Sequence, residues 1–195
     1  MDNINYIKDY IGNTISVKKS ILASDELSTT IGNVADKIVE VFNRGNKVIL
    51  AGNGGSAGDA QHIAAEFVSK FLYDRPGLSA IALTTDSSML TAIGNDYGFE
   101  KLFSRQIQAQ GKDGDLFIGI STSGDSSNIL AAVDMAKSKE IYTVALCGES
   151  GVLKSKVDFA ICVPSTSTPL IQESHIMIGH IICAIVEKTI FPLED

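Results

Sequence analysis

Five short apolar segments, separated by stretches with helical periodicity, constrain the fold of this chain most strongly. The segments are residues 47–51, 79–83, 115–120, 141–146 and 157–163. Each is a continuous apolar run, which is typical of strands covered on both faces, and strands that alternate with helices pair in parallel. The sequence therefore predicts an α/β fold, a three-layer sandwich with a five-stranded parallel sheet at its centre.

Helical segments flank this pattern at both ends of the chain. Residues 1–45 contain apolar residues every three or four positions and predict two helices. Residues 170–190 predict a long helix that is apolar on most sides, and such a helix is normally buried. These helices exceed what the sheet needs, so we expect them to form an oligomer interface. Without repeats or linkers, the 195 residues predict one domain, with residues 1–45 as a helical extension and residues 46–195 as the α/β core.

The charge and composition of the chain exclude several classes of protein. The net charge is −7 and the lysines and arginines form no cluster, so no nucleic-acid-binding surface is expected. The N-terminus is polar, unlike a signal peptide, and the longest apolar stretch, residues 176–186, is short for a membrane span. Cys147, Cys162 and Cys183 lack metal-ligand spacing and indicate buried thiols, with a reactive Cys147 as the alternative. We therefore expect a cytoplasmic protein without nucleic-acid or membrane partners.

Turns of small polar residues follow the first three predicted strands, at residues 52–56, 84–88 and 121–126. Ligands of parallel sheets bind beyond the carboxyl ends of the strands, where these turns would lie. Residues 121–126 offer four hydroxyls and a glycine before a predicted helix, which suits a phosphate group. They lack the lysine and the spacing of a nucleotide P-loop, so a phosphorylated small molecule is favoured over ATP. Helix capping by serine and threonine is the alternative.

Two histidines and a glutamate form a second candidate site. His62 and Glu66 are four residues apart and so lie on one face of a helix, where a solvent-exposed pair is the simplest interpretation. His180, however, lies in the apolar run IMIGHIICAIV, where an imidazole without a partner costs about 1–3 kcal/mol. His180 therefore needs a polar partner, and His62 and Glu66 are candidates.

These side chains, together with Gln172, can serve two kinds of chemistry. Histidine, glutamate and glutamine can bind a divalent metal such as zinc, and histidine and glutamate can also act as general acid and base. Gln172 and His180 are eight residues apart, about 12 Å along a straight helix. Binding of one ion by both would require a non-helical start at Gln172 or ligands from different subunits.

Four segments, GNGGSAGDAQHIAAEF, TAIGNDYGFE, ISTSGDSSNIL and IQESHIMIGHIIC, resemble the bacterial phosphoheptose isomerases of the sugar isomerase (SIS), flavodoxin-like fold. The resemblance covers essentially the whole chain. It implies a homotetrameric cytoplasmic enzyme with active sites near subunit interfaces and one zinc ion per subunit. It further implies interconversion of sedoheptulose 7-phosphate and D-glycero-D-manno-heptose 7-phosphate through an enediol. This reaction begins heptose synthesis for lipopolysaccharide or capsule.

The resemblance also implies roles for individual residues. The acid/base pair is Glu66 and His180, and the metal ligands are His62, Glu66, Gln172 and His180. The substrate-binding residues are Asn53, Gly54, Gly55, Ser56, Glu66, Asn95, Asp96, Ser121, Thr122, Ser123, Ser126 and Gln172.

The chain departs from the family pattern at three places. Ser69-Lys70 replaces the usual Gly-Arg, Pro169-Leu170 stands where an arginine is usual, and Asp125 and Ser127 are atypical in the hydroxyl-rich turn. Asp125 adds negative charge near the expected phosphate site.

Two non-catalytic functions are alternatives to the enzyme. Relatives that bind the bacterial replication initiator keep the fold but replace the acid/base residues, whereas this chain has the complete set. Sugar-phosphate sensors with SIS modules carry an extra domain, for which 195 residues leave no room.

Overall fold

A computed structural model describes residues 2–193 of the chain. Two helices, α1 (Asn3–Leu22) and α2 (Asp25–Asn43), precede the first strand. The strands are β1 (Val48–Gly52), β2 (Ala80–Ala82), β3 (Leu116–Ser121), β4 (Tyr142–Gly148) and β5 (Phe159–Val163). The later helices are α3 (Gly55–Val68), α4 (Ser87–Tyr97), α5 (Leu102–Gln110), α6 (Ser127–Ser138) and α7 (Thr168–Ile190).

All five strands pair in parallel in the order β2-β1-β3-β4-β5, which confirms the predicted sheet. One face packs against α2, α3 and α7, and the other packs against α5 and α6. The sheet is thus the middle layer of three, because each of its faces is apolar and needs a cover. The order reverses between β1 and β3, and ligands of such sheets bind at the carboxyl ends beside this switch point.

Helix α1 carries apolar side chains that the chain itself leaves exposed. Ile4, Ile7, Ile11 and Ile15 are exposed, and Ile21 is the buried residue of the helix. The predicted helical period is therefore correct, but its apolar face is not covered by residues 2–193 of the same chain.

Helix α7 is the one described helix that is long and apolar enough to cross a membrane. Its most apolar 18-residue window has a mean hydropathy of 1.4, and half of that window is buried in the fold. The buried half packs on α2, α3 and the sheet, as in the core helix of a three-layer protein. The prediction that α7 is buried on most sides is only partly met within the chain, since Ile181 is 40% exposed.

The three cysteines are free thiols. Cys147 and Cys183 are buried, as predicted, whereas Cys162 is partly exposed on the edge strand β5. The sulfur atoms of Cys147 and Cys162 lie 3.6 Å apart on paired strands. The contact with Cys162 and burial both raise the pKa of the Cys147 thiol, which argues against a reactive Cys147.

Helices α3 and α7 lie close together, and two glycines permit this. A Cβ atom on Gly179 would lie 2.7 Å from the Cδ1 atom of Ile63, and one on Gly55 would overlap the amide group of Gln172. These contacts join the starts of the two helices to each other and their middles to each other, so the helices run in the same direction. This packing brings His62 of α3 beside His180 of α7.

Candidate active site

His62, Glu66 and His180 converge where α3 faces α7. The Nε2 atom of His62 lies 2.9 Å from Nε2 of His180 and 3.1 Å from Oε1 of Glu66. The predicted need of His180 for a polar partner is therefore met by His62. The side chains of His62 and Glu66 are 48% and 23% exposed, so the cluster opens to solvent and a ligand can reach it.

The cluster has the composition and spacing of a metal site. Its three donor atoms lie within 4.8 Å of one another. Two imidazole nitrogens and a carboxylate oxygen are usual zinc ligands, and donors of a tetrahedral zinc site lie about 3.3 Å apart. The observed separations of 2.9 and 3.1 Å are close to this value, so the three residues fit a divalent ion without rearrangement of their helices.

His62, Glu66 and His180 lie in a groove between α3 and α7, and Gln172 lies farther along it. Its amide group contacts Gly55 at the start of α3, two helical turns before His62. It is part of α7, so the non-helical start considered from the sequence does not occur. Within one chain, Gln172 therefore lies in the groove between α3 and α7, and its role as a metal ligand stays a prediction.

Asp59 is a residue of this groove that sequence reasoning missed. It lies three residues before His62 and seven before Glu66, on the same face of α3. Its Oδ2 atom is buried without a hydrogen-bond partner among the described residues. Burial raises the pKa of Asp59 to about 6, and the nearby His62 and Gln172 side chains only partly oppose the shift. The i, i+3, i+7 spacing of the three polar residues was the signal that could have revealed Asp59.

The hydroxyls of residues 121–126 form a cluster at the start of α6. The Ser121 Oγ atom lies 2.9 Å from that of Ser126 and 3.5 Å from that of Ser123. Ser126 is the N-cap residue of α6, yet its side chain makes no capping hydrogen bond. The simple capping interpretation of this serine is therefore wrong. A hydroxyl cluster at a helix N-terminus is instead suited to an anion.

Asp125 has a partner outside this cluster. Its Oδ1 atom accepts a hydrogen bond of 3.0 Å from the N–H of Val152. The neighbouring Gly124 has φ +72°, and a Cβ there would lie 2.6 Å from the carbonyl oxygen of Ser150. The atypical carboxylate thus fastens the 149–152 loop. Thr122 also joins this turn to the end of β4 through its backbone, since its carbonyl oxygen accepts a hydrogen bond from the N–H of Gly148.

A pair of asparagines joins the turn after β1 to the turn after β3. Asn53 and Asn128 exchange two amide hydrogen bonds of 2.9 and 2.8 Å, and Asn128 is buried. Gly54 beside them has φ +55°, a conformation that favours glycine, and Ser56 is buried in the first turn of α3. The pair spans the switch point of the sheet and holds its two polar turns together. Sequence reasoning missed Asn128, whose partner is 75 residues away.

Asn95 and Asp96 are the predicted site residues of helix α4. Both are exposed on α4, and their side chains hydrogen-bond to each other at 2.8 Å. The turn before α4 has a structural function, because Asp86 caps the helix by accepting from Met89. The described chain unites the His62 cluster, Gln172 and the two turns at the switch point, while the substrate-binding role of Asn95 and Asp96 stays a prediction.

Similar proteins identify the family. The SIS domain model matches residues 9–148 of the chain. A phosphoheptose isomerase of Aneurinibacillus thermoaerophilus is 62% identical over 96% of this chain and 95% of its own length. The chain belongs to the phosphoheptose isomerase family.

Further members of the phosphoheptose isomerase family agree with this assignment. Phosphoheptose isomerase 2 of Campylobacter jejuni is 58% identical over 98% of this chain and 96% of its own length. The solved structure of a phosphoheptose isomerase from Francisella tularensis matches with a TM-score of 0.92 at 37% identity, over 96% of this chain and all of that one. The fold expected from the resemblance is thereby confirmed.

The third histidine, His175, gives the fold a pH dependence. It is fully buried, and burial lowers its pKa to about 4, an effect that the backbone of Cys147 only partly offsets. The unfolded chain therefore binds this proton at a higher pH than the folded chain does. Stability should fall as the pH drops from about 6.5 to about 4, by on the order of 3 kcal/mol from this residue.

Denaturant unfolding of wild type and His175→Leu at a series of pH values tests this expectation. The variant replaces the titrating imidazole with an apolar side chain that still fills the buried site. It should therefore lose less stability than wild type between pH 7 and pH 4. Other titrating groups act equally in both proteins and cancel in the difference. Parallel stability curves for the two proteins would contradict the assignment to His175.

Proposed function

We propose that this chain is an aldose–ketose isomerase that interconverts sedoheptulose 7-phosphate and D-glycero-D-manno-heptose 7-phosphate. The convergence of Glu66 and His180 from two packed helices carries the proposal, because an acid/base pair is what this reaction requires. The names of the relatives support the phosphoheptose as substrate class. The product would supply heptose for lipopolysaccharide or capsule in the cytoplasm.

The proposed reaction has two steps, ketose to enediol and enediol to aldose, and each step transfers two protons. Glu66 removes the proton from C1 of the ketose, while His180 donates a proton to the oxygen on C2, and an enediol results. Glu66 then returns a proton to C2 and His180 removes the proton from the hydroxyl on C1, which gives the aldose. The tally of atoms and electrons is unchanged, so the chemistry needs no redox cofactor.

Zinc is the proposed metal, one ion per subunit. His62, Glu66 and His180 would hold it, with Gln172 as the fourth ligand implied by the family. A bound divalent ion supplies Lewis acidity to the substrate carbonyl. Glu66 and His180 thus carry two proposed roles, as ligands and as proton carriers. Asp59 lies beside His62, where a carboxylate can orient the ligating imidazole.

The phosphate end of the substrate is proposed to bind at the switch point of the sheet. Ser121, Ser123 and Ser126 supply a hydroxyl cluster there, and Thr122 lies in the same turn. The turn with Asn53, Gly54, Gly55 and Ser56 lies beside it. Asn95, Asp96 and Gln172 would orient the sugar hydroxyls.

We infer that the chain acts as a homotetramer with active sites near subunit interfaces. The exposed apolar face of α1 and the exposed part of α7 support this, because a second copy would cover both. Light scattering on the purified protein should give about four times the subunit mass of 20.7 kDa. A monomer would remove this part of the proposal.

An assay of the purified protein on sedoheptulose 7-phosphate tests the function. We expect isomerisation that a chelator lowers and that added zinc restores. Activity that is indifferent to both would argue against the metal but not against the isomerase. No turnover under any of these conditions, together with tight binding of the replication initiator, would favour the non-catalytic alternative.

A further inference from the structure

A buried ion pair lies directly behind the candidate active site. Arg75, in the segment between α3 and β2, donates from Nε to Oε1 of Glu187 on α7 at 3.0 Å. The two side chains are only 2% and 1% exposed. Neither residue has a part in the proposed reaction, so the pair needs its own explanation.

Arg75 closes the C-terminal end of α3. Its Nη2 atom donates to the backbone carbonyl of Glu66 at 2.7 Å, and its Nη1 atom donates to those of Phe67 and Ser69 at 2.6 and 3.1 Å. The last carbonyls of a helix have no partner within the helix, and an arginine there satisfies them and complements the helix dipole. The guanidinium group thus fixes the backbone of the proposed catalytic base itself.

Glu187 fixes the other half of the site. Its carboxylate accepts hydrogen bonds of 2.9 and 2.7 Å from the backbone N–H groups of Phe71 and Leu72. The ring of Phe71 in turn packs on His180, with ring centroids 5.3 Å apart. Glu187 is two helical turns beyond His180, on the same side of α7.

The carboxylate of Glu187 is held in its charged form. Burial would raise the pKa of Glu187, but the N–H groups of Phe71 and Leu72 and the guanidinium of Arg75 outweigh burial and lower it. A buried ion pair adds little net stability compared with apolar packing, because desolvation of the two charges is costly. Its geometric consequence is larger: it ties the helix of Glu66 to the helix of His180.

We propose that Arg75 and Glu187 are positioning residues that fix Glu66 and His180 relative to each other, an inference that rests on the proposed isomerase function. Neither residue touches the substrate. Their effect passes through the backbone of Glu66 and through the contact of Phe71 with His180. A shift of either proton carrier by about 1 Å can cost about 10²-fold in rate.

The test compares Arg75→Lys and Glu187→Gln with a matched control. Arg75→Lys keeps the charge but loses the fork of donors, and Glu187→Gln keeps the shape but loses the charge. The control is Asp115→Asn, at the residue directly before the central strand β3. Asp115 is also buried, pairs with Lys47 at 2.6 Å and accepts from the backbone N–H groups of Lys47 and Lys112.

All three variants should show a lower Tm, and each is assayed well below its own Tm. Arg75→Lys and Glu187→Gln should lose about 10²-fold in kcat while KM stays within a factor of about two, because positioning acts mainly on the transition state. Asp115→Asn should keep the wild-type kcat. Wild-type kcat in both test variants, or an equal loss in the control, would overturn the positioning role.

A second measurement does not depend on activity. Nuclear magnetic resonance spectra of the histidine rings should show shifted His62 and His180 signals in the two test variants and unshifted signals in the control. A wild-type protein without isomerase activity would refute the proposed function, while shifted signals would still support positioning by the pair. Unshifted signals in folded test variants would refute the positioning itself.

Discussion

The Glu66→Gln variant is expected to fold like the wild type and to lose turnover of sedoheptulose 7-phosphate by roughly 10²–10⁴-fold. The amide has the shape of the carboxylate but cannot accept a proton from carbon. The fold should tolerate the change, since the side chain is 23% exposed and its described ion-pair partner is His62, in the same cluster. The measurement is kcat and KM at a pH near 7, together with the Tm.

Glu173→Gln is the matched control for this variant. Glu173 follows Gln172 on α7, is 32% exposed, and pairs with Lys18 of α1 at 3.1 Å, which is the separation of Glu66 from His62. It is outside the cluster, so its loss should leave kcat unchanged. Near-normal turnover by Glu66→Gln would exclude Glu66 as the base.

The zinc content of Glu66→Gln separates the two proposed roles of this residue. His62 and His180 remain as ligands, so the variant should keep part of its zinc after dialysis. Loss of turnover in a zinc-loaded variant would support the role as base. Full recovery of turnover by excess zinc would reduce Glu66 to a ligand.

The fold could be predicted from the sequence because each strand is a continuous apolar run. Every strand overlaps one of the five predicted segments, and the helices follow from apolar residues that recur every three or four positions. The spacing of the apolar residues also predicted helix α1. The surface that covers these residues could not be predicted, because a period of 3.6 residues reveals an apolar face but not the partner of that face.

Site residues could be predicted where their spacing placed them on one helix face, or where a polar side chain in apolar surroundings would cost free energy without a partner. His62 and Glu66 share a helix face by spacing, and His180 needed a partner because its surroundings are apolar. Asn128 gave no such signal, since an asparagine in a first helical turn is unremarkable until Asn53 is seen beside it. Arg75 likewise occurs in a turn-like sequence and gains its meaning from Glu187, 112 residues later.

The hydrogen-bond partner of an exposed side chain could not be predicted from the sequence either. The sequence predicted that Asp125 adds negative charge near the phosphate site, and the structure shows in addition that its carboxylate accepts a hydrogen bond from Val152 in the 149–152 loop. A sequence gives the charge of this residue and not the partner that the charge faces. Such partners are set by the packing of loops that are distant in sequence.

The His180→Gln variant should lose turnover to a degree similar to Glu66→Gln, because the proposed reaction needs both proton carriers. Glutamine keeps a polar group beside His62 but has no ionisable proton in the working pH range. His175→Leu is the control on the same helix. His175 is buried away from solvent and should be dispensable for turnover near pH 7.

The combined Glu66→Gln and His180→Gln variant then asks whether the two residues act as a unit. When two residues act together in one transition state, loss of either removes most of the contribution of both. The kcat of the double variant should therefore be within about threefold of the kcat of the slower single variant. The 2.9 and 3.1 Å contacts of both residues with the same atom of His62 are the structural reason to expect this coupling. If the losses instead multiplied, Glu66 and His180 would act in separate steps.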